Sequence, residues 1–285
     1  MIALEATVSV LSYIALAVLL GQLVTAGFLL PNGEPKNLRR SLLMGARAAL
    51  LVFLGVAIVA LVIQGAKLQR SFPSTELLWR YLTMAQSGKV WLMRELYGAA
   101  LALVIGSLAS NATSFNAIRV VALLAVPLVA SRSLTSHAVA VREDMLIAVI
   151  SDSVHLIATA VWAGGLIALW RVLHRANRQL NQPLPWTAAI VNRFSRLALV
   201  SVTLLLITGV YQSWIHVGSL TALMNTDYGN MLLLKLLLFS VMLGYGTLNF
   251  FRPGGCWHAR SVRTKTAKPP VKKPSGELLR RVWRA

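Results

Sequence analysis

The chain has 285 residues, of which 56% are hydrophobic and 13% charged, and its formal net charge is +19. Soluble domains carry about 25% charged residues. With a mean hydropathy of +0.66, this composition excludes an ordinary soluble fold and points to an integral membrane protein. On a soluble chain the charge would suggest nucleic acid. Here the basic residues cluster in connections and in the tail, so membrane topology accounts for them, with lipids rather than nucleic acid as the expected surroundings.

A spanning helix needs roughly 20 apolar residues, and seven segments qualify in chain order: Thr7–Leu30, Gly45–Ala66, Val90–Ala109, Ala117–Ser133, Met145–Trp170, Phe194–Val217 and Gly229–Phe251. The first has only Glu5 before it and no Lys or Arg before Lys36. A cleaved leader needs a basic n-region, so this segment is expected to stay as a helix. The fourth is short and contains Pro127, which favours a kink. A short interfacial helix is expected around Thr75–Gln86 in the second connection. Frequent Gly, Ala, Ser and Thr let such helices approach closely in lipid. The single cysteine, Cys256, excludes an internal disulfide framework.

Basic residues set the expected orientation. Lys36, Arg39, Arg40 and Arg47 fall in the first connection, Arg171, Arg175, Arg178, Arg193 and Arg196 in the fifth, and ten more between Arg252 and Arg284. Glu76, Glu143, Asp144 and Asp227 fall mostly on the other side, while Lys67, Arg70, Arg80 and Lys89 dissent. The positive-inside rule then gives N-out, C-in. The fold class is all-α, a polytopic integral membrane helix bundle of seven transmembrane helices. Its expected parts are an N-terminal four-helix membrane half (1–140), a three-helix domain (141–252) and a basic, largely disordered cytoplasmic tail (253–285). The tail closes with GELLRRVWRA, which reads either as the approach to an eighth helix or as an interfacial basic segment.

This topology gives each intramembrane polar residue a depth. At about 1.5 Å per residue, Asp152 lies roughly 10 Å and His155 about 15 Å below the outer surface on the fifth helix. They share one face, which Thr159 and Trp162 continue toward Gly164 and Gly165. Lys235 on the seventh helix lies about 9 Å deep, so an ion pair with Asp152 is expected. A lone charge there costs about 3 kcal/mol or more. Met93, Arg94 and Glu95 occupy the first turns of the third helix. His216 ends the sixth, His137 follows the fourth, and Met224 and Met231 flank the last outer connection. The inner half offers only Gln22, Thr25, Ser107, Ser201, Tyr245, Asn249 and Met242. His174, among arginines, reads as solvated surface. Cys256-Trp257-His258 supplies only a two-ligand fragment.

Taken in order, five motifs resemble the CopD copper-resistance family: D-x-x-H-x-x-x-x-x-x-W-x-G-G at Asp152–Gly165, N-R-F-S-R at Asn192–Arg196, T-G-V at Thr208–Val210, D-Y-G-N-x-L-L-x-K at Asp227–Lys235 and N-F-F-R at Asn249–Arg252. G-K-V-W-L-M-R at Gly88–Arg94 and L-T-S-H-A at Leu134–Ala138 are similar to the family's N-terminal helices. The set is specific as an ensemble, each piece alone being weak. The resemblance implies copper handling in the bacterial inner membrane, movement of copper from periplasm to cytoplasm, and a CopC-like periplasmic copper chaperone as partner. It also implies a further C-terminal helix, whereas this sequence stops at Ala285. The motif positions it carries over are His137, Asp152, His155, Trp162 and Lys235.

Copper(I) prefers imidazole and thioether, and copper(II) accepts imidazole with carboxylate. His137, His155, His216, Asp152, Met93, Met224 and Met231 form the candidate metal set. The bland alternative is that Asp152, His155, Arg94, Glu95 and Lys235 make one satisfied polar network that fixes packing, with Trp162 as a packing knob and Arg193 and Arg196 as anchors. Three functions fit: a copper permease, a periplasm-facing copper-binding or relay protein without transport, and a b-type haem electron-transfer protein. The haem reading needs two histidines at one depth, which only His137 and His216 offer. Nothing in the sequence points to an enzyme, and nothing sets an oligomeric state.

Overall fold

In lipid an apolar run must close its own backbone hydrogen bonds, so each apolar segment is expected as a helix. The computed structural model describes residues 2–31, 36–110, 114–135, 145–179, 185–217 and 220–251, and among them every regular element is helical. The helices are α1 (Ile2–Val24, running into a π-helical turn at Thr25–Leu29), α2 (Lys36–Gln69), α3 (Thr75–Met84), α4 (Gln86–Ser110), α5 (Phe115–Ala130), α6 (Met145–Gln179), α7 (Pro185–Val217), α8 (Leu220–Asn225) and α9 (Asp227–Phe251). Among the described residues five stretches are long and apolar enough to cross a membrane: Ala3–Leu29, Asn37–Gln69, Gln86–Ser110, Met145–Arg175 and Trp186–Ile215. The fourth and seventh expected spans are shorter apolar helices, Phe115–Ala130 and Gly229–Gly244. The basic tail from 252 onward, with Cys256 and His258, and the connection 136–144, with His137, Glu143 and Asp144, lie outside the described residues.

The chain divides into two compact units, Met1–Leu232 and Leu233–Ala285, each described by itself. Within the first, α1 packs on α2, α5 and α6, α6 also on α7, and α4 on α2, α3 and α5. The span of α1 is 56% buried, against 22% for those of α2 and α7, so α1 is the central helix. Its sequence explains this placement, since a helix that is apolar all round can be surrounded. Leu16, Leu19, Leu20, Leu23 and Ala26 are all buried in one core with Phe53, Ile105, Ile118, Ala125 and Ile190.

Small residues let α6 reach α1. A Cβ added to Gly164 would sit 2.5 Å from the Ala17 carbonyl carbon and 3.2 Å from Gly21 Cα, and one added to Gly21 would overlap the Gly164 backbone. Ala17-x-x-x-Gly21 is therefore a small-xxx-small seam. The adjacent Gly165 faces the other way, where an added Cβ would lie 2.9 Å from the Phe194 ring on α7.

The short helix expected in the second connection is present as α3. Ser74 caps it, accepting from Leu77 N–H at 3.2 Å. The helix has no buried residue, and the exposed Phe72, Trp79 and Met84 suit the headgroup boundary. Pro127 lies in the last turn of α5. It interrupts the carbonyl ladder there, and Tyr97 Oη donates to the nearby Leu124 carbonyl at 2.6 Å.

At its basic end, α1 finishes in carbonyls that arginines cap. Arg119 Nε donates to Gly27 O at 2.9 Å, and Arg193 Nη1 donates to Leu29 O at 3.2 Å and Leu30 O at 3.3 Å. Such carbonyls at a helix end attract cations. Arg193→Met leaves two of them unpaired at a cost of about 1–3 kcal/mol. The expected result is a lower unfolding temperature in detergent with unchanged helix content.

Candidate functional site

The sixth and seventh helices bring together the first pair of interest. His155, half-buried on α6, has its Nδ1 2.9 Å from Thr208 Oγ1 on α7. A threonine inside a helix commonly returns its hydroxyl proton to its own backbone at i−4, and Thr208 donates to Leu204 O at 2.7 Å. A hydroxyl has one proton. With that proton given to Leu204, Thr208 accepts from His155, which places a proton on Nδ1. Gly209, next to Thr208, makes room for the ring, and a Cβ there would lie 3.8 Å from His155 Cε1. His155 O in turn accepts from Thr159 Oγ1 at 2.8 Å.

This is the arrangement a metal-ligating histidine uses. One ring nitrogen is held by an oxygen partner, which fixes the tautomer and aims the other nitrogen. Asp152, a member of the candidate metal set, lies half-buried one turn earlier on the same helix. The residue that sequence reasoning missed is Thr208, although the T-G-V motif contains it. Depth would have found it. Thr208 lies about 14 Å from the Val217 end of α7, matching the depth of about 15 Å reckoned for His155.

The other candidates are more dispersed. Trp162 packs against the core from α6. Arg94 and Glu95 sit together on α4, with Arg94 Nε 3.8 Å from Glu95 Oε1 and the guanidinium 5.7 Å from the Phe53 ring centre on α2. Arg94 is buried, and its Nε and Nη1 have no hydrogen-bond partner among the described residues. Met93 is 70% exposed on the same helix. Met224 on α8 and Met231 on α9 are also exposed. His216 lies in the last turn of α7, and its side chain is outside the described residues, as is all of His137. Lys235 lies in the second unit, so its expected pairing with Asp152 spans two units that are each described by themselves. Among the described residues no three His, Cys, Asp or Glu side chains converge on a metal position.

A second polar centre lies toward the other end of α1 and α6. Gln22 and Thr25 are fully buried, and Arg171 Nη1 donates to Gln22 Oε1 at 2.8 Å. Gly45 on α2 makes room for this pair, since an added Cβ would meet Arg171 Nη1 at 2.6 Å. Gln22 Nε2 and Thr25 Oγ1 have no hydrogen-bond partner among the described residues.

Comparison with known proteins adds identity to this geometry. Residues 2–146 match the family described as "Copper resistance protein D-like, N-terminal domain", and residues 188–277 match "Copper resistance protein D". Asp152, His155 and Gly164 fall between the two matched segments, whereas Thr208 lies inside the second. "Copper transport protein CutJ" of Bacillus subtilis (strain 168) is 32% identical over 165 residues, which cover 57% of this chain and 30% of that relative. No solved structure matches the chain.

Proposed function

This chain belongs to the copper resistance protein D family, and from that premise we propose that it imports copper across the bacterial inner membrane through a site centred on His155. The observation that carries the reading is the His155–Thr208 hydrogen bond, which holds an imidazole by one ring nitrogen inside a spanning helix. An imidazole placed there is costly unless it serves a purpose, and intramembrane ionisable residues mark ion pathways by default. In this proposal copper is the cargo. It arrives in the periplasm from a CopC-like chaperone, and Asp152, His137, His216 or a methionine among Met93, Met224 and Met231 completes the ligand set. The chain lies N-out and C-in, with the arginine-rich ends of α2, α6 and α7 in the cytoplasm.

A second reading is a copper relay that binds but does not transport. The polar centre at Gln22 favours it, because amide, hydroxyl and guanidinium groups are poor partners for copper(I). Proteoliposomes loaded with a copper indicator separate the two. The import reading predicts a rising signal after copper is added outside. A flat trace from protein that still binds copper would leave the relay.

A further inference from the structure

Where α2 begins and α6 ends, three arginines converge on one pocket. Arg40, Asn37 and Ser41 come from the first turns of α2, and Arg171 and Arg175 from the last turns of α6. Together with Met44 and Gly45 they line a cavity of about 490 Å³. Among the described residues none that lines it is a carboxylate. Two of the guanidinium groups are already oriented. Arg171 is fixed by the buried Gln22 at 2.8 Å, and Arg175 donates to Ser41 Oγ. Besides the arginines, the lining carries two further groups of donor type, the Ser41 hydroxyl and the Asn37 amide.

Three like charges around one cavity repel each other unless an anion lies between them. Guanidinium groups match phosphate oxygens with paired N–H donors, and hydroxyl and amide donors complete the shell. Basic pockets between membrane helices suit anionic headgroups. We propose that this pocket binds a phosphate group, carried by an anionic phospholipid or free, and that the bound group ties α2 to α6. The site is independent of copper. It uses none of the residues assigned to the metal and lies near the opposite end of α6 from His155.

The test uses the full chain in non-ionic micelles. Phosphatidylglycerol, phosphatidylcholine and inorganic phosphate are titrated separately, and binding is followed by thermal protection and by native mass spectrometry. The variants are Arg40→Gln/Arg175→Gln and, in case the double variant folds poorly, Arg40→Gln alone. Saturable binding of phosphatidylglycerol that weakens at least about tenfold in the variants, the loss of a charge-assisted bond, with none for phosphatidylcholine, supports a lipid phosphate. Protection of the wild type, but not of the variants, by inorganic phosphate supports a free one. Equal responses of wild type and variants to both anions, or no response to either, overturn the proposal.

Discussion

His155→Ala is expected to weaken copper binding by more than about 100-fold, beyond the 10–100-fold that loss of a ligand's outer partner costs. Thr208→Val should fall within that 10–100-fold range. It keeps the shape of the side chain and the α6–α7 contact but removes the acceptor for Nδ1–H, so the imidazole can turn and exchange tautomers. The pair of variants separates chemistry from packing. Had His155 only a structural role, Thr208→Val would lower the unfolding temperature and leave copper affinity unchanged. Equilibrium titration of the purified variants against a competing copper chelator reads both effects, and circular dichroism reports whether each variant keeps its helices.

The second large effect is Gly164→Ala. The added methyl would stand 2.5 Å from the Ala17 carbonyl carbon and 3.2 Å from Gly21 Cα. Both are backbone atoms, which cannot rotate away as a side chain can. Overpacking costs about 1–3 kcal/mol where side chains can adjust, and this substitution should reach the top of that range. For a chain of this size that corresponds to a fall of roughly 6–12 °C in unfolding temperature. Gly55→Ala is the control. A Cβ there meets nothing within 4 Å, and alanine gains up to about 1 kcal/mol of helix propensity over glycine, so stability should hold or rise slightly. Equal losses in the two variants would mean that the α1–α6 seam is not a close backbone contact.

Much of the fold was legible because lipid leaves an apolar run few options. Hydropathy located the helices, the long second connection left room for α3, and the Gly164-Gly165 pair marked a close approach. What hydropathy could not read was where helices end. Gly45 and Phe194 begin the apolar runs of α2 and α7, yet the helices begin at Lys36 and Pro185, and α6 continues past Trp170 to Gln179. Helix geometry persists into the headgroup region, where arginine stems lie along the helix and their charged ends reach water. Residues read as connection, among them Arg40, Arg171 and Arg175, are therefore helical and can line a pocket.

The candidate site was legible only in part. His155 stood out because an imidazole in an apolar helix is costly. Thr208 did not, because a threonine that bonds its own backbone carries no charge and raises no hydropathy alarm. Its role appears only when α6 and α7 are set side by side. Gln22 was noted as a polar residue of the inner half, but its partner, Arg171, lies 149 positions away. A residue pattern cannot show such a pairing without the α1–α6 packing.

X-ray absorption at the copper edge, recorded on the copper-loaded wild type and on His155→Ala, tests the central claim most directly. The account predicts imidazole scattering around copper in the wild type and its loss, together with most of the metal, in the variant. Copper retained in both with the same spectrum would contradict it.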